Sequence, residues 1–472
     1  MLKRVLYIIE CIWLISGYAY AQDQPAKLSA LFDTLYAHKS FNGCVLVSGQ
    51  GKVIFQNAYG LADVDTKRLL TTESIFELAS VSKGFTAMGI MQLKEKKLLS
   101  YDDSIRKFFP ELPYSGVSIL NLLTHTSGIP DFLGWTEEDV DVRSINSNSE
   151  IIRVLPLKYP STKFKPGSTF LYSNTNYILL SSIIEKVSGL SFSEFMGKNI
   201  FLPCGMSNTS VFQRFSNALP KDYALDYIWD GSENHFSRAD SLKRYTYFMS
   251  GVTGAYGISS NLTDLYKWDN ALTSALLVSD STMKEAFSPI KLKGSNNNIE
   301  IEPGIPYVFG WQLLPNNDMF GSGSFGGYTS LIVRELSKKQ TIILLSNFIE
   351  TSDVMSIMNN IEEILEGESL TRPDLKKPQM GVKLPLDKLQ AYQGTYMAKD
   401  GSFPQMKIKC IGNKLYAKVG DSMEQNIFAK SEDIFFIGNI NAKLVFNKDS
   451  LGKVISITLD GLGISHTLAL KE

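Results

Sequence analysis

Ser80 and Lys83 stand three residues apart in Phe76-Glu77-Leu78-Ala79-Ser80-Val81-Ser82-Lys83-Gly84-Phe85-Thr86. On a helix that spacing puts the amine about one turn beyond the hydroxyl on the same face. A serine hydroxyl is a weak nucleophile until a neighbouring base takes its proton, and burial lowers a lysine pKa far enough to make that lysine such a base. A helix N-terminus at the same place offers backbone N–H groups to a developing oxyanion. The spacing alone is unspecific, because Ser-x-x-Lys recurs at Ser104/Lys107, Ser281/Lys284, Ser288/Lys291 and Ser450/Lys453. Only Ser80 opens a predicted amphipathic helix, from about Ser80 to Lys94, with Phe85, Met88, Met91 and Leu93 on its core face.

The elements that must position this pair read as strands at both ends of a helical region. Gly43 to Ser48 and Lys52 to Asn57 form a hairpin across Gly49-Gln50-Gly51. A second helix runs from Asn176 to Val187, with Gly189 as its C-cap. Val308 to Leu313, Thr329 to Val333 and Thr341 to Leu345 are strand-like. The expectation is an α+β fold, an antiparallel sheet flanked by helices that joins both ends of the domain. After a helical segment ending near Leu365, the Pro-, Lys- and Gly-rich stretch 371–385 reads as a linker. Beyond it, Met406 to Cys410, Lys414 to Val419, Ile434 to Ile437, Ala442 to Phe446 and Val454 to Leu459 alternate between turns. They predict a small all-β barrel over 386–472.

Further segments carry a resemblance. They are Leu122-Leu123-Thr124-His125-Thr126-Ser127-Gly128-Ile129, Phe170-Leu171-Tyr172-Ser173-Asn174-Thr175-Asn176-Tyr177, Gly205-Met206-Ser207-Asn208-Thr209 and Gly251-Val252-Thr253-Gly254-Ala255-Tyr256-Gly257. With the Ser80 segment, and in this order, the chain from about Phe41 to Phe348 resembles the serine β-lactamase-related hydrolases, which include class C β-lactamases, D,D-carboxypeptidases, D-aminopeptidases and esterases. The resemblance implies a β-lactamase/transpeptidase-like domain over 22–370, Ser80 as nucleophile and Lys83 and Tyr172 as the groups that move the proton. It makes Tyr172 and Asn174 the Tyr-x-Asn motif, found once in the chain, with Asn174 holding both Lys83 and substrate. A phenol with a pKa of about 10 acts as a base only beside a cation, which Lys83 supplies. Two groups so coupled titrate as a pair, which leaves the first proton acceptor open. His125 is structural in the family, and the resemblance implies a turn histidine.

The third family motif departs from the pattern. Relatives carry Lys-Thr-Gly or His-x-Gly before a Gly-Gly-aromatic turn; here the stretch is Gly321-Ser322-Gly323-Ser324-Phe325-Gly326-Gly327-Tyr328, and no Lys, Arg or His occurs from Gln312 to Val333. The cation's place falls on Gly321. Backbone roles survive: the match puts the oxyanion N–H donors at Ser80 and Ser324, and substrate along Ser322, Gly323 and Ser324 as an added strand. The missing cation points toward peptide or D-amino-acid amides and esters without a free carboxylate at that subsite. A β-lactam-hydrolysing or D,D-carboxypeptidase enzyme is one alternative, and a catalytically impaired cell-wall or peptide-binding protein is another. For the C-terminal module the resemblance is to lipocalin-like domains that cap the cleft or help homo-oligomers form; the plain alternative is a solubilising appendage.

Composition bounds the rest. The chain has 472 residues, 44% hydrophobic and 20% charged, with 47 basic and 48 acidic side chains. That balance gives no case for nucleic acid, so the expected partner is a small-molecule or peptide substrate. Lys3 and Arg4 precede an apolar stretch from Val5 to Leu14, and Ala19 and Ala21 flank Tyr20. This reads as a signal peptide over 1–21, too short for the about 20 residues of a bilayer span, and implies a periplasmic or secreted protein. Beyond Cys11, the cysteines Cys44, Cys204 and Cys410 are widely separated among apolar residues and read as small buried hydrophobes. The scattered histidines and cysteines predict no metal and no cofactor.

Overall fold

The computed structural model describes residues 23–215, 218–315, 318–349, 353–368, 372–438, 440–461 and 463–471. The expected signal peptide over 1–21, and Thr371 at the head of the expected linker, lie outside them.

The run Cys44-Val45-Leu46-Val47 is apolar at successive positions because the strand that carries it is covered on both faces. In β1 (Gly43–Gly49), Cys44 and Leu46 face the main core, while Val45 and Val47 face a second core on the opposite side of the sheet. The second core is closed by helix α1 (23–37), whose Leu28, Leu31, Phe32 and Leu35 recur at helical spacing. β1 turns into β2 (Lys52–Tyr59) through Gln50 and Gly51, both at positive φ (51° and 75°), the conformation that a tight hairpin with right-handed strand twist requires.

The chain then builds a helical body around α2 (Ser82–Glu95) and α3 (Asn174–Ser188), with α4 (Leu262–Leu272) packed on the sheet. Every residue of α2 from Ser82 to Leu93 is buried. The expected amphipathic helix is therefore the central helix of the body, enclosed on all sides. It also starts later than expected: Ser80 lies in a 3-10 turn, Ala79–Val81, and the α-helix begins at Ser82. α3 ends as expected at Gly189, with φ of 71°.

The sheet resumes with β3 (Glu300–Glu302), β4 (Ile305–Val308), β5 (Trp311–Leu313), β6 (Met319–Phe325), β7 (Tyr328–Glu335) and β8 (Gln340–Ser346). Its order is β3-β4-β5-β6-β7-β8-β1-β2, antiparallel throughout, so β8 against β1 joins the two ends of the domain. The single strand expected over Val308 to Leu313 is two strands, broken where Gly310 takes φ of 88° against the backbone of Lys83 and Gly84. Helix α5 (Val354–Glu366) then covers the second core beside α1.

The C-terminal strands are β9 (Gly394–Met397), β10 (Met406–Ile411), β11 (Lys414–Val419), β12 (Gln425–Ala429), β13 (Ile434–Ile437), β14 (Ile440–Lys448), β15 (Val454–Gly461) and β16 (Ile464–Leu470). They close into an antiparallel barrel, β16 pairing back to β9. Tyr396, Ile408, Leu415, Phe435, Phe446 and Leu468 alternate inward and fill it. The barrel rests on the helical body through Lys407–Glu138 (2.6 Å), Lys409–Glu137 (2.8 Å) and Lys414–Asp230 (2.5 Å).

Cys44, Cys204 and Cys410 are free thiols; Cys44 is fully buried, whereas Cys204 and Cys410 are half-buried. No helix among the described residues is long and apolar enough to cross a membrane.

Candidate active site

Ser80 sits at the apex of the turn into α2. The preceding Ala79 is buried and held at φ of 47°, a conformation costly for a residue with a Cβ, so the surrounding packing fixes it. Ser82 Oγ accepts the N–H of Ile258 (3.2 Å) and anchors the start of the helix. Lys83, one turn on and 1% exposed, points back so that its Nζ is 3.0 Å from Ser80 Oγ.

The Lys83 amine also donates to Asn174 Oδ1 (2.8 Å) and to the Ala255 carbonyl (2.9 Å), and it lies over the rings of Tyr172 and Tyr177 at 4.9 and 5.6 Å. Burial lowers its pKa to about 7, with the carboxylate of Asp131 pulling the other way. Tyr172 reaches the same hydroxyl from the segment before α3, its OH 3.0 Å from Ser80 Oγ. Burial pushes the Tyr172 phenol up, opposed by its hydrogen bond with Ser80. Near neutral pH the lysine is therefore the group that can be free of its proton, and the phenol keeps its own.

His125 makes no hydrogen bond to Ser80. Its Nδ1 accepts the Ser173 N–H (3.2 Å), which leaves the proton on Nε2, 3.1 Å from Tyr307 OH. Burial holds its pKa well below the usual imidazole range, with the nearby Lys83 charge acting in the same direction. Its ring lies 4.3 Å from that of Tyr172 and braces it.

Two residues that the sequence did not single out stand behind the walls of the site. Asp131 Oδ2 accepts both the backbone N–H (3.0 Å) and the side-chain Nδ2 (2.7 Å) of Asn174, across 43 residues of sequence. The signal was adjacent: Asp131 follows the Thr124-to-Ile129 segment by two residues, but no periodicity links it to Asn174. Trp311 is the other. A Cβ on Gly321 would lie 3.0 Å from its indole and one on Gly84 likewise 3.0 Å, so the ring fills the space beside Gly321, with the Arg334 guanidinium over the ring at 5.8 Å.

The opposite wall is β6. Gly323 packs so closely on the nucleophile turn that a Cβ there would lie 2.4 Å from Leu78 O and 2.6 Å from Ser80 N; the Ser330 hydroxyl, donating to Leu78 O (2.6 Å), secures the turn to β7. Between the walls is a cleft of about 540 Å3, and Ser80, Lys83, Tyr172, Asn174, Ser322, Gly323 and Ser324 all line it. Among the described lining residues, Lys83 is the single charged side chain. The remaining surface is largely apolar, including Leu133, Tyr256, Ile301 and, from the barrel, Met423. Larger grooves of about 750 and 770 Å3 lie elsewhere on the body, and neither reaches Ser80. Among the described residues, no three His, Cys, Asp or Glu side chains gather as metal ligands.

Residues 28–356 match the family described as Beta-lactamase. The chain belongs to this family and is a serine hydrolase of the β-lactamase type. Penicillin-binding protein 4* of Bacillus subtilis (strain 168) is 34% identical over 434 residues, covering 90% of this chain and 94% of its own. An octameric penicillin-binding protein homologue from Pyrococcus abyssi superposes with a TM-score of 0.62 at 25% identity, over 94% of this chain and 99% of its own. The D-amino acid amidase of Ochrobactrum anthropi SV3 shares the fold, with a TM-score of 0.60 at 22% identity, over 73% of this chain and 99% of its own. The β-lactamase-family match ends before the barrel, whereas both the Bacillus and the Pyrococcus relatives extend over nearly the whole chain.

Proposed function

We propose that this serine hydrolase forms an acyl-enzyme on Ser80 from amides or esters whose acyl part carries no carboxylate at the β6 edge. The observation that carries the reading is the saturation of Lys83. A neutral amine has two N–H donors and one lone pair; Asn174 Oδ1 and the Ala255 carbonyl are pure acceptors at 2.8 and 2.9 Å and take both donors. The lone pair is left for the Ser80 hydroxyl at 3.0 Å.

Lys83 then accepts the proton as Ser80 Oγ attacks the acyl carbonyl. The backbone N–H groups of Ser80 and Ser324 face the resulting oxyanion. Collapse breaks the bond to the amine or alcohol, which leaves with the proton relayed through Tyr172 OH. Water repeats the sequence on the ester of Ser80 and releases the acid. Asn174 and the Ser322–Ser324 edge hold the acyl donor. The uncharged edge favours peptide amides, D-amino-acid amides and esters over β-lactams or substrates with a terminal carboxylate, because Trp311 occupies the space a cation at position 321 needs.

The module boundary at 371–385, an exported location and homo-oligomers belong to the same proposal; the domain architecture shared with the penicillin-binding relatives supports the first two, and the octameric Pyrococcus protein the third. The test is a hydrolysis panel of D-amino-acid amides, short peptides, esters and β-lactams, run with wild type and Ser80→Ala. Turnover of a carboxylate-free amide or ester, lost in Ser80→Ala, supports the reading. Turnover confined to β-lactams or to carboxylate-terminated peptides overturns the substrate class.

A further inference from the structure

The Asp131 carboxylate lies behind the cleft, in the loop that joins the Thr-His-Thr-Ser-Gly turn to the rest of the helical body. A side-chain amide is nearly symmetric in shape, with an acceptor on one arm and donors on the other. Asn174 could therefore present either arm to Lys83, and only the oxygen is compatible with a donating amine. Asp131 Oδ2 takes the backbone N–H of Asn174 at 3.0 Å and its Nδ2 at 2.7 Å, while Oδ1 takes the N–H of Leu133 at 3.0 Å. An ionised carboxylate only accepts, so it binds the NH2 arm and turns Oδ1 onto Lys83.

We infer that Asp131 is the positioning residue of this active site: it fixes the Asn174 amide so that the Lys83 lone pair is aimed at Ser80. The inference rests on the acyl-enzyme reading above and extends it to a residue that does not touch substrate.

The charge on Asp131 acts through a short path. It favours the ammonium form of Lys83, against the burial that disfavours it. The other titratable groups around the amine are the Tyr172 and Tyr177 rings beneath it, His125 with Tyr307 behind Tyr172, and Tyr256 across the cleft. The tyrosines have their pKa values raised and His125 has its own lowered, so all of them are neutral near pH 7. Asp131 is thus the group whose charge bears on Lys83 through that pH range.

The experiment measures the rate at which a fluorophosphonate phosphonylates Ser80 with loss of fluoride, from pH 5 to 9, for wild type, Asp131→Asn and Asp131→Glu, with melting temperatures alongside. Asp131→Asn is expected to react at least about tenfold more slowly at saturating reagent. Its acid limb, where Lys83 gains its proton, is expected to move down by about half a pH unit or more, because loss of the negative charge destabilises the ammonium. Asp131→Glu keeps the charge but displaces the carboxylate by a methylene, so the rate falls while the limb stays near wild type. A purely structural role would lower the melting temperature and the amplitude without moving the limb.

Wild-type rate and limb in Asp131→Asn overturn the inference. If Asp131→Asn does not fold, Asp131→Glu decides: slower labelling at unchanged reagent affinity and unchanged melting temperature supports it, and the wild-type rate overturns it. The parent reading fails separately, when wild type itself takes no label at Ser80.

Discussion

On the helix wall of the cleft, Ser80, Lys83, Tyr172, Asn174 and Asp131 form one continuous hydrogen-bonded chain. On the strand wall, Gly321 to Ser324 offer backbone, two hydroxyls and no charge, with the Trp311 indole beside Gly321. In the proposed reaction the first wall moves a proton and the second recognises an acyl group. On that proposal the chemistry of the fold and its substrate choice are carried by separate elements, so that one can be kept while the other changes.

Breaking the helix wall has the largest expected effect. Lys83→Ala removes the base, and Lys83→Arg replaces it with a group that does not deprotonate. Both are expected to slow acylation by about 10³-fold or more, measured by burst kinetics with an ester. Tyr172→Phe keeps the ring against His125 and Lys83 but loses the relay, with an expected drop of about 10²-fold in kcat and little change in melting temperature.

Next comes the seam between the walls. Gly323→Ala pushes a methyl into Leu78 O and Ser80 N; a loss of about tenfold in kcat/KM is expected, with about 1–3 kcal/mol of stability by chemical denaturation. Gly321→Lys alone is expected to give no gain on carboxylate-bearing substrates, because Trp311 holds the space. Gain in Gly321→Lys combined with Trp311→Ala, and in that pair only, sharpens the comparison; gain in the single variant breaks it.

The pH dependence follows from Lys83. Its pKa falls from 10.5 to about 7 on folding, and the base must be neutral, so kcat/KM is expected to fall as pH drops through about 7. For stability, the unfolded chain holds the lysine's proton between pH 7 and 10.5 while the folded one does not. Burial of Lys83 therefore destabilises progressively as pH falls through that window, and the penalty is constant below 7. Lys83→Met is expected to raise the melting temperature by an amount that grows from pH 10.5 to 7 and then levels off. The smallest effect is at the cap: Met423→Ala widens the apolar end of the cleft and is expected to change relative kcat/KM between small and large acyl groups by a few-fold, in a paired substrate assay.

The residues that speak through local spacing were legible in the sequence. Ser80 and Lys83 share one helical turn, and the hairpin, α3 with its glycine cap and the sheet's β7 and β8 follow from periodicity, whereas Tyr172 and Asn174 were legible only through the family resemblance. β6 was legible only through the family's third motif, because Gly321 and Gly323 carry no side chains to alternate. Trp311 and Asp131 act through contacts between distant segments, which no local pattern encodes. Met423 enters the cleft from a different module, and its place depends on how the barrel docks. The 3-10 turn at Ser80 was read as α-helix because its left-handed residue is Ala79, where a glycine would have signalled it.

The central claim is that Ser80 is the nucleophile of this hydrolase. The most direct measurement is the intact mass of the purified protein after treatment with a fluorophosphonate, with the modified peptide sequenced. The expected result is one adduct, on Ser80, absent from Ser80→Ala. No adduct on wild type, or an equal adduct on Ser80→Ala, would contradict it.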